Sequence, residues 1–267
     1  MSIVKYRYSS LEDFLISHSL SVDGVIDDGW GAELAVKGRE IQAAILFADI
    51  SAFTSRTITL SPAETLIFLN HFFTWIAAEA MRTGVGIVDK YIGDEIMMVF
   101  SEEFGSEDPF VDALQTARWM AEKDVFCFGP HIGIAYGHVI IGYVGTPLKY
   151  NCSAFGAPVV LAKRCAAVRP QAKGSASIIF PANLWNDRTL KEVLPPGTRE
   201  RQDGTIEERR LPWELLPPRT VPMKNLPELE IREIDKLGTW FPDQSPEDRA
   251  REALENLRQA GAVRLEG

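Results

Sequence analysis

The chain has 267 residues, 46% of them hydrophobic, and a net charge of −9 from 28 Lys and Arg against 37 Asp and Glu. That length holds one large domain or a domain with extensions, and the acidic balance argues against a nucleic-acid partner, which would need a basic face. No apolar run approaches the roughly 20 residues of a membrane span, and the N-terminus MSIVKYRYSSLEDF has no signal-peptide core. The three cysteines, Cys127, Cys152 and Cys165, lack CxxC spacing and suit a reducing compartment, so a cytoplasmic protein is expected.

Residues 1–38 join a short helical run after Ser9-Ser10 to the acidic, glycine-rich link VDGVIDDGWG. They read as an N-terminal arm that packs on the core or on a second copy. Residues 42–48 form a central strand by their apolar run, and Asp49 leaves it into a small polar turn with Ser51 and Thr54. Ser61-Pro62 with Glu64 predicts a capped helix to about residue 81. Its Leu66, Leu69, Phe72, Phe73, Ile76 and Ala80 are spaced for one buried face. Gly84-Val85-Gly86 closes that helix, and residues 87–88 and 96–100 read as two strands pinched around Gly93-Asp94.

A second helix is predicted over 106–124, then two strand runs within 131–142 joined near Gly137. A third helix opens at Gly156-Ala157-Pro158 and runs to about 168, and residues 175–180 form a strand. Between 186 and 222 prolines cluster around the charged stretch 199–210, so residues 186–220 read as an excursion outside the core. Residues 228–234 make a last strand, and Ser245 caps a terminal helix over 246–260 with acidic residues early and Arg258 late. The expected fold is α+β, with helices covering one face of a mostly antiparallel sheet. The expected parts are an arm at 1–38, a domain at 39–236 and a helical extension at 237–267.

Asp49 at a strand end and Asp94 at a hairpin tip are placed to meet, though each alone reads as a helix cap or a turn filler. Four stretches, FADISAFT, DKYIGDEIM, GIAYGHVIIG and FGAPVVLAKR, resemble in order the motifs of class III nucleotidyl cyclases. The likeness spans about residues 40–180, with a weaker echo at 221–234. It implies a ferredoxin-like cyclase fold and ring closure of a nucleoside triphosphate on two divalent cations, Mn²⁺ or Mg²⁺.

Position by position, the resemblance assigns the cations to Asp49, Asp94 and the Ile50 carbonyl. Ser51, Phe53 and Thr54 fall to the phosphates, and Arg164 to the charge on the transferring phosphorus. Lys90 and Ser153 match the pair that reads the base, and Lys224 lies near the family's triphosphate lysine in a loose register. One position departs: Val160 stands where the family orients the ribose with asparagine, and Asn151 is the nearest substitute in sequence. In the family each site draws its aspartates and arginine from opposite subunits, so a head-to-tail homodimer is expected.

As a whole the chain resembles the pyrimidine cyclases of bacterial Pycsar antiphage defence, whose cyclic nucleotide is read by a separate effector protein. Lysine donates to uracil O4, whereas the cytosine amine would repel it, which favours UTP and cyclic UMP. An adenylate cyclase and a non-catalytic cyclase-like domain are the alternatives.

Overall fold

The computed structural model describes residues 6–27, 29, 31, 33–122, 124, 128–146, 149–171, 176–200, 206–208, 212–224, 227–237 and 245–262. Through the middle of the chain the elements run α1 (Leu11–Ile16), β1 (Val22–Asp27), β2 (Glu33–Asp49), α2 (Phe53–Thr57), α3 (Pro62–Ala80), β3 (Gly86–Ile92), β4 (Glu95–Phe100) and α4 (Pro109–Glu122). Next come β5 (His131–Thr146), β6 (Lys149–Phe155), α5 (Ala157–Ala166), β7 (Ser177–Pro181) and α6 (Leu190–Val193). The chain then forms β8 (Thr198–Glu200), β9 (Ile206–Glu208), β10 (Trp213–Leu215), β11 (Arg219–Val221), β12 (Leu229–Lys236) and α7 (Pro246–Gln259).

The apolar run at 43–48 makes β2 the axis of a sheet ordered β10-β12-β7-β5-β2-β4-β3. Every residue of that run is buried, because both faces of the strand are covered. Ala44, Leu46 and Ala48 pack with α3, α4 and α7 through Phe72, Leu114 and Leu254. Ala43, Ile45 and Phe47 face Phe14 of α1 and Ala162 of α5. The expectation of helices on one face is therefore corrected: α1 and α5 cover the second. Gly133 lets α5 lie so close, since a Cβ there would stand 2.1 Å from the Ala162 carbonyl oxygen. The sheet is antiparallel throughout its main path except where β5 runs parallel to β7.

Several boundaries differ from those read in sequence. β2 begins at Glu33, so residues 33–38 of the expected arm belong to the central strand, and β1 pairs with them. The two runs expected in 131–142 are one unbroken strand, β5, which passes through Gly137 at a φ of 155°. Residues 186–220 leave the core only in part. Val193, Leu194 and Trp213 are buried in the main cluster, and β10 and β11 pair with β12. Cys127 lies outside the described residues. α3 keeps its predicted cap: Ser61 accepts from the Glu64 amide, Glu64 answers the Ser61 amide, and Pro62 sits in the first turn; its buried face is corrected, since Leu66 is exposed and Phe68 and Trp75 are buried instead. Among the described residues no helix is long and apolar enough to cross a membrane.

Candidate active site

The centre of β2 fixes where its last residue emerges. Asp49 lies across the ladder from Glu95 on one side and His131 on the other. Asp94 sits in the turn between β3 and β4, where Gly93 at φ 64° makes the tight reversal without a Cβ penalty. Sequence-distant aspartates thus meet, with the Asp94 carboxyl hydrogen-bonded to that of Asp49. Burial first, then Asp94 and the charge of Glu95, push the Asp49 carboxyl up to about 8, while the Ile50 amide acts against the shift.

Two crowded carboxylates held in this way are a poor arrangement unless a cation joins them. Asp49 Oδ1 is buried and has no hydrogen-bond partner among the described residues. These oxygens fit a hard divalent cation. Among the described residues no cluster of three His, Cys, Asp or Glu side chains accompanies them, so further ligands would come from the backbone or from substrate.

The turn after Asp49 is tied down from behind. Ile50 is buried in the main core. The Ser51 amide and hydroxyl both donate to the Phe128 carbonyl, at 3.3 and 3.2 Å. Arg56 is only 2% exposed, donates from Nε to the Ser51 carbonyl at 2.7 Å, and reaches Phe128 O at 3.3 Å. Asp124 in turn accepts the amides of Phe128 and Gly129. The Ser51 hydroxyl therefore holds the turn and does not point out of it. Nothing in the sequence marked Arg56, because a single arginine in a polar turn looks like a solvated charge.

Ala52 takes the left-handed conformation, φ 54° and ψ 35°, which a residue with a Cβ rarely adopts. It starts α2 with no side-chain cap, as alanine has no acceptor to offer the first amides of the helix. Thr54 is exposed there and Phe53 packs partly on the core.

α5 borders the same end of the sheet. Lys163 pairs with Glu95 at 2.6 Å and stands over the Phe47 ring. Arg164, the next residue, is half-buried in the last turn and pairs with no carboxylate among the described residues. Val160 is 47% exposed on the same helix. Asn151 is exposed on β6, and Lys224 is exposed in the turn after β11.

Lys90 and Ser153 do come together, through a residue that sequence reading passed over. The Ser153 hydroxyl donates to Asp89 Oδ2 at 2.6 Å, and Lys90 Nζ lies 3.6 Å from the same oxygen. Ser153 itself is 1% exposed, whereas the Lys90 side chain is 37% exposed and flanks the Phe155 ring.

Comparisons with known proteins bear on the family and the fold. The family described as "Adenylate and Guanylate cyclase catalytic domain" matches residues 36–173. An uncharacterized protein of Mycobacterium tuberculosis, Rv1320c, is 33% identical over 130 residues, 48% of this chain and 23% of its own length. The chain thus spans about a quarter of the length of the curated relatives it matches. Among solved structures, a bacterial light-regulated adenylyl cyclase superposes with a TM-score of 0.54 at 21% identity, covering 81% of this chain and 58% of that one. The adenylyl cyclase CyaB from P. aeruginosa superposes at 0.56 with 16% identity, over 77% of this chain and 99% of that one. The guanylyl cyclase Cya2 gives 0.53 at 21%, over 76% and 96%. These likenesses establish the fold, and the family match covers more than half of the chain. It belongs to the adenylate and guanylate cyclase catalytic-domain family.

Proposed function

We propose that this chain converts UTP to 3',5'-cyclic UMP and pyrophosphate in a site shared between two head-to-tail copies. The observation that carries the cyclase reading is the Asp49–Asp94 pair, whose buried Oδ1 has no described partner, at the end of the central strand. Asp49, Asp94 and the Ile50 carbonyl would hold two divalent cations, manganese or magnesium. Bound there, such cations acidify the ribose 3'-hydroxyl and neutralise the triphosphate.

The chain's own groups do the rest. The uncapped start of α2, with Phe53 and Thr54, receives the β- and γ-phosphates on its amides. Ser51 contributes by keeping that turn in place. Arg164 from the second copy offers its planar fork to the oxygens of the phosphorus under attack. Its lack of a described carboxylate partner within its own chain supports a role across the interface. Lys90 donates to the base, and uracil O4 is the acceptor it suits. Val160 offers the ribose no hydrogen bond, so alignment of the sugar falls to other groups.

Whole-chain likeness supports a place as signal generator in bacterial antiphage defence, the cyclic product being read by a separate effector. The test is direct: the protein is incubated with Mn²⁺ and each of ATP, GTP, CTP and UTP, and products are identified by mass spectrometry. Cyclic UMP is expected as the main product. Cyclic AMP alone would replace this reading with an adenylate cyclase, and no product from any nucleotide would remove the enzymatic reading.

A further inference from the structure

A buried carboxylate beside the base-reading lysine has no role in the chemistry above. The register of β3 against β4 slips between Val88 and Lys90, so Asp89 is an extra residue in the ladder, a β-bulge. The bulge turns its side chain inward until 1% of it is exposed. Stripping a carboxylate of water costs stability unless donors replace the water. Burial does push the Asp89 carboxyl above its ordinary range, and the Ser153 hydroxyl, Lys90 and the Ala154 amide each act against that push.

The donors converge on one side. Ser153 Oγ and Lys90 Nζ both address Asp89 Oδ2, at 2.6 and 3.6 Å. The single hydroxyl proton of Ser153 is committed to Asp89, and Ser153 is too buried to reach a ligand. Lys90 is the exposed member, placed between the Asp89 carboxylate and the Phe155 ring. A free lysine samples many rotamers. One tethered by a buried anion presents its ammonium in a restricted direction.

We propose that Asp89 is the positioning residue of base recognition: it anchors Lys90 as the donor offered to the base, and Ser153 acts only by holding Asp89. This rests on the reading that Lys90 faces the base. A tethered donor discriminates steeply between a carbonyl oxygen and an amino group, whereas a loose one swings to whatever acceptor is near.

Two readouts test this on the full chain. The first is kcat/KM for each of the four nucleoside triphosphates in the unaltered protein, Asp89→Asn, Ser153→Ala and the double variant. Asp89→Asn is expected to cut the preference for the best nucleotide over the next about tenfold, mainly through KM, since about 1.4 kcal/mol of lost discrimination gives that factor. Ser153→Ala should shift the ratio in the same direction by less, and the double variant should match Asp89→Asn alone because the two act in series. An unchanged ratio in an active Asp89→Asn protein overturns the proposal. So does an equal loss for all four nucleotides, or additive effects in the double variant.

The second readout needs no nucleotide. Acylation of Lys90 by acetic anhydride, followed by mass spectrometry against Lys37 and Lys149 in the same chain, should quicken several-fold in Asp89→Asn and less in Ser153→Ala. An unchanged Lys90 rate overturns the anchoring even if the unaltered protein turns over no nucleotide, an outcome that would strike the cyclase reading instead. Ser153→Ala keeps both readouts available should Asp89→Asn fail to fold.

Discussion

Asp49 is held in a state that suits it badly unless a cation joins it, as the proposed metal role requires. Its carboxyl, raised from 3.8 to about 8, keeps a proton in the folded chain that the unfolded chain has already released. Without cation the folded state binds more protons than the unfolded state between those values, so stability from this group falls as pH climbs from about 4 to about 8. Asp49→Asn removes the clash with Asp94 and is expected to raise the cation-free Tm by a few degrees, on the order of 1 kcal/mol. The same substitution should abolish the rise in Tm that Mn²⁺ brings to the unaltered protein. In the unaltered protein that rise should be greater at pH 8.5 than at pH 6, because the cation must displace the proton. Differential scanning calorimetry with and without Mn²⁺ checks all three, and an undiminished Mn²⁺ response in Asp49→Asn would remove this residue from the metal site.

At the scale of elements, the turn between β2 and α2 keeps its shape through a partner far along the chain. Arg56 links the Ser51 carbonyl to the Phe128 carbonyl 72 residues away. Arg56→Met retains much of the packing volume but strands those carbonyls and should cost roughly 3 kcal/mol, read from the urea midpoint. Such long-range ties were not legible in the sequence, whereas local ones were. Ser61, Pro62 and Glu64 announce α3 because a capping box is complete within four residues. Asp49 and Asp94 could be paired because a strand end and a hairpin tip are both local signals. Asp89 carries no such signal, since a bulge shows only once β4 is in register beside it. The burial of Ser153 follows from Asp89 and was hidden with it. Gly137 looked like a joint, yet β5 runs through it and its missing Cβ makes room near Pro158. Prolines around 195–218 outweighed Val193, Leu194 and Trp213, which pack into the core regardless.

For the whole molecule, the proposed assignment of Arg164 to the partner copy's aspartates makes the second copy a requirement of the proposed chemistry. A chain carrying Asp49→Ala and a chain carrying Arg164→Ala should each be inactive alone. Mixed in equal amounts, half the dimers carry one intact site of two, so about a quarter of the unaltered activity should return. Cyclic nucleotide formation in the mixture measures this, and no recovery would end the shared-site arrangement.

β5 also has a mechanical consequence. Its 16 residues make a single rod roughly 50 Å long, clamped to β2 along its first twelve positions from His131 to Gly142. One tip touches the strand end that carries Asp49, and the other forms the hairpin with β6. Paired to β2 over most of its length, this strand joins the hairpin to the end of β2 that carries Asp49 in one continuous element, which gives a displacement of the hairpin a direct route to that end. In the proposed dimer, a signal that reaches the hairpin would therefore work as a lever along this strand, by turning one copy against the other.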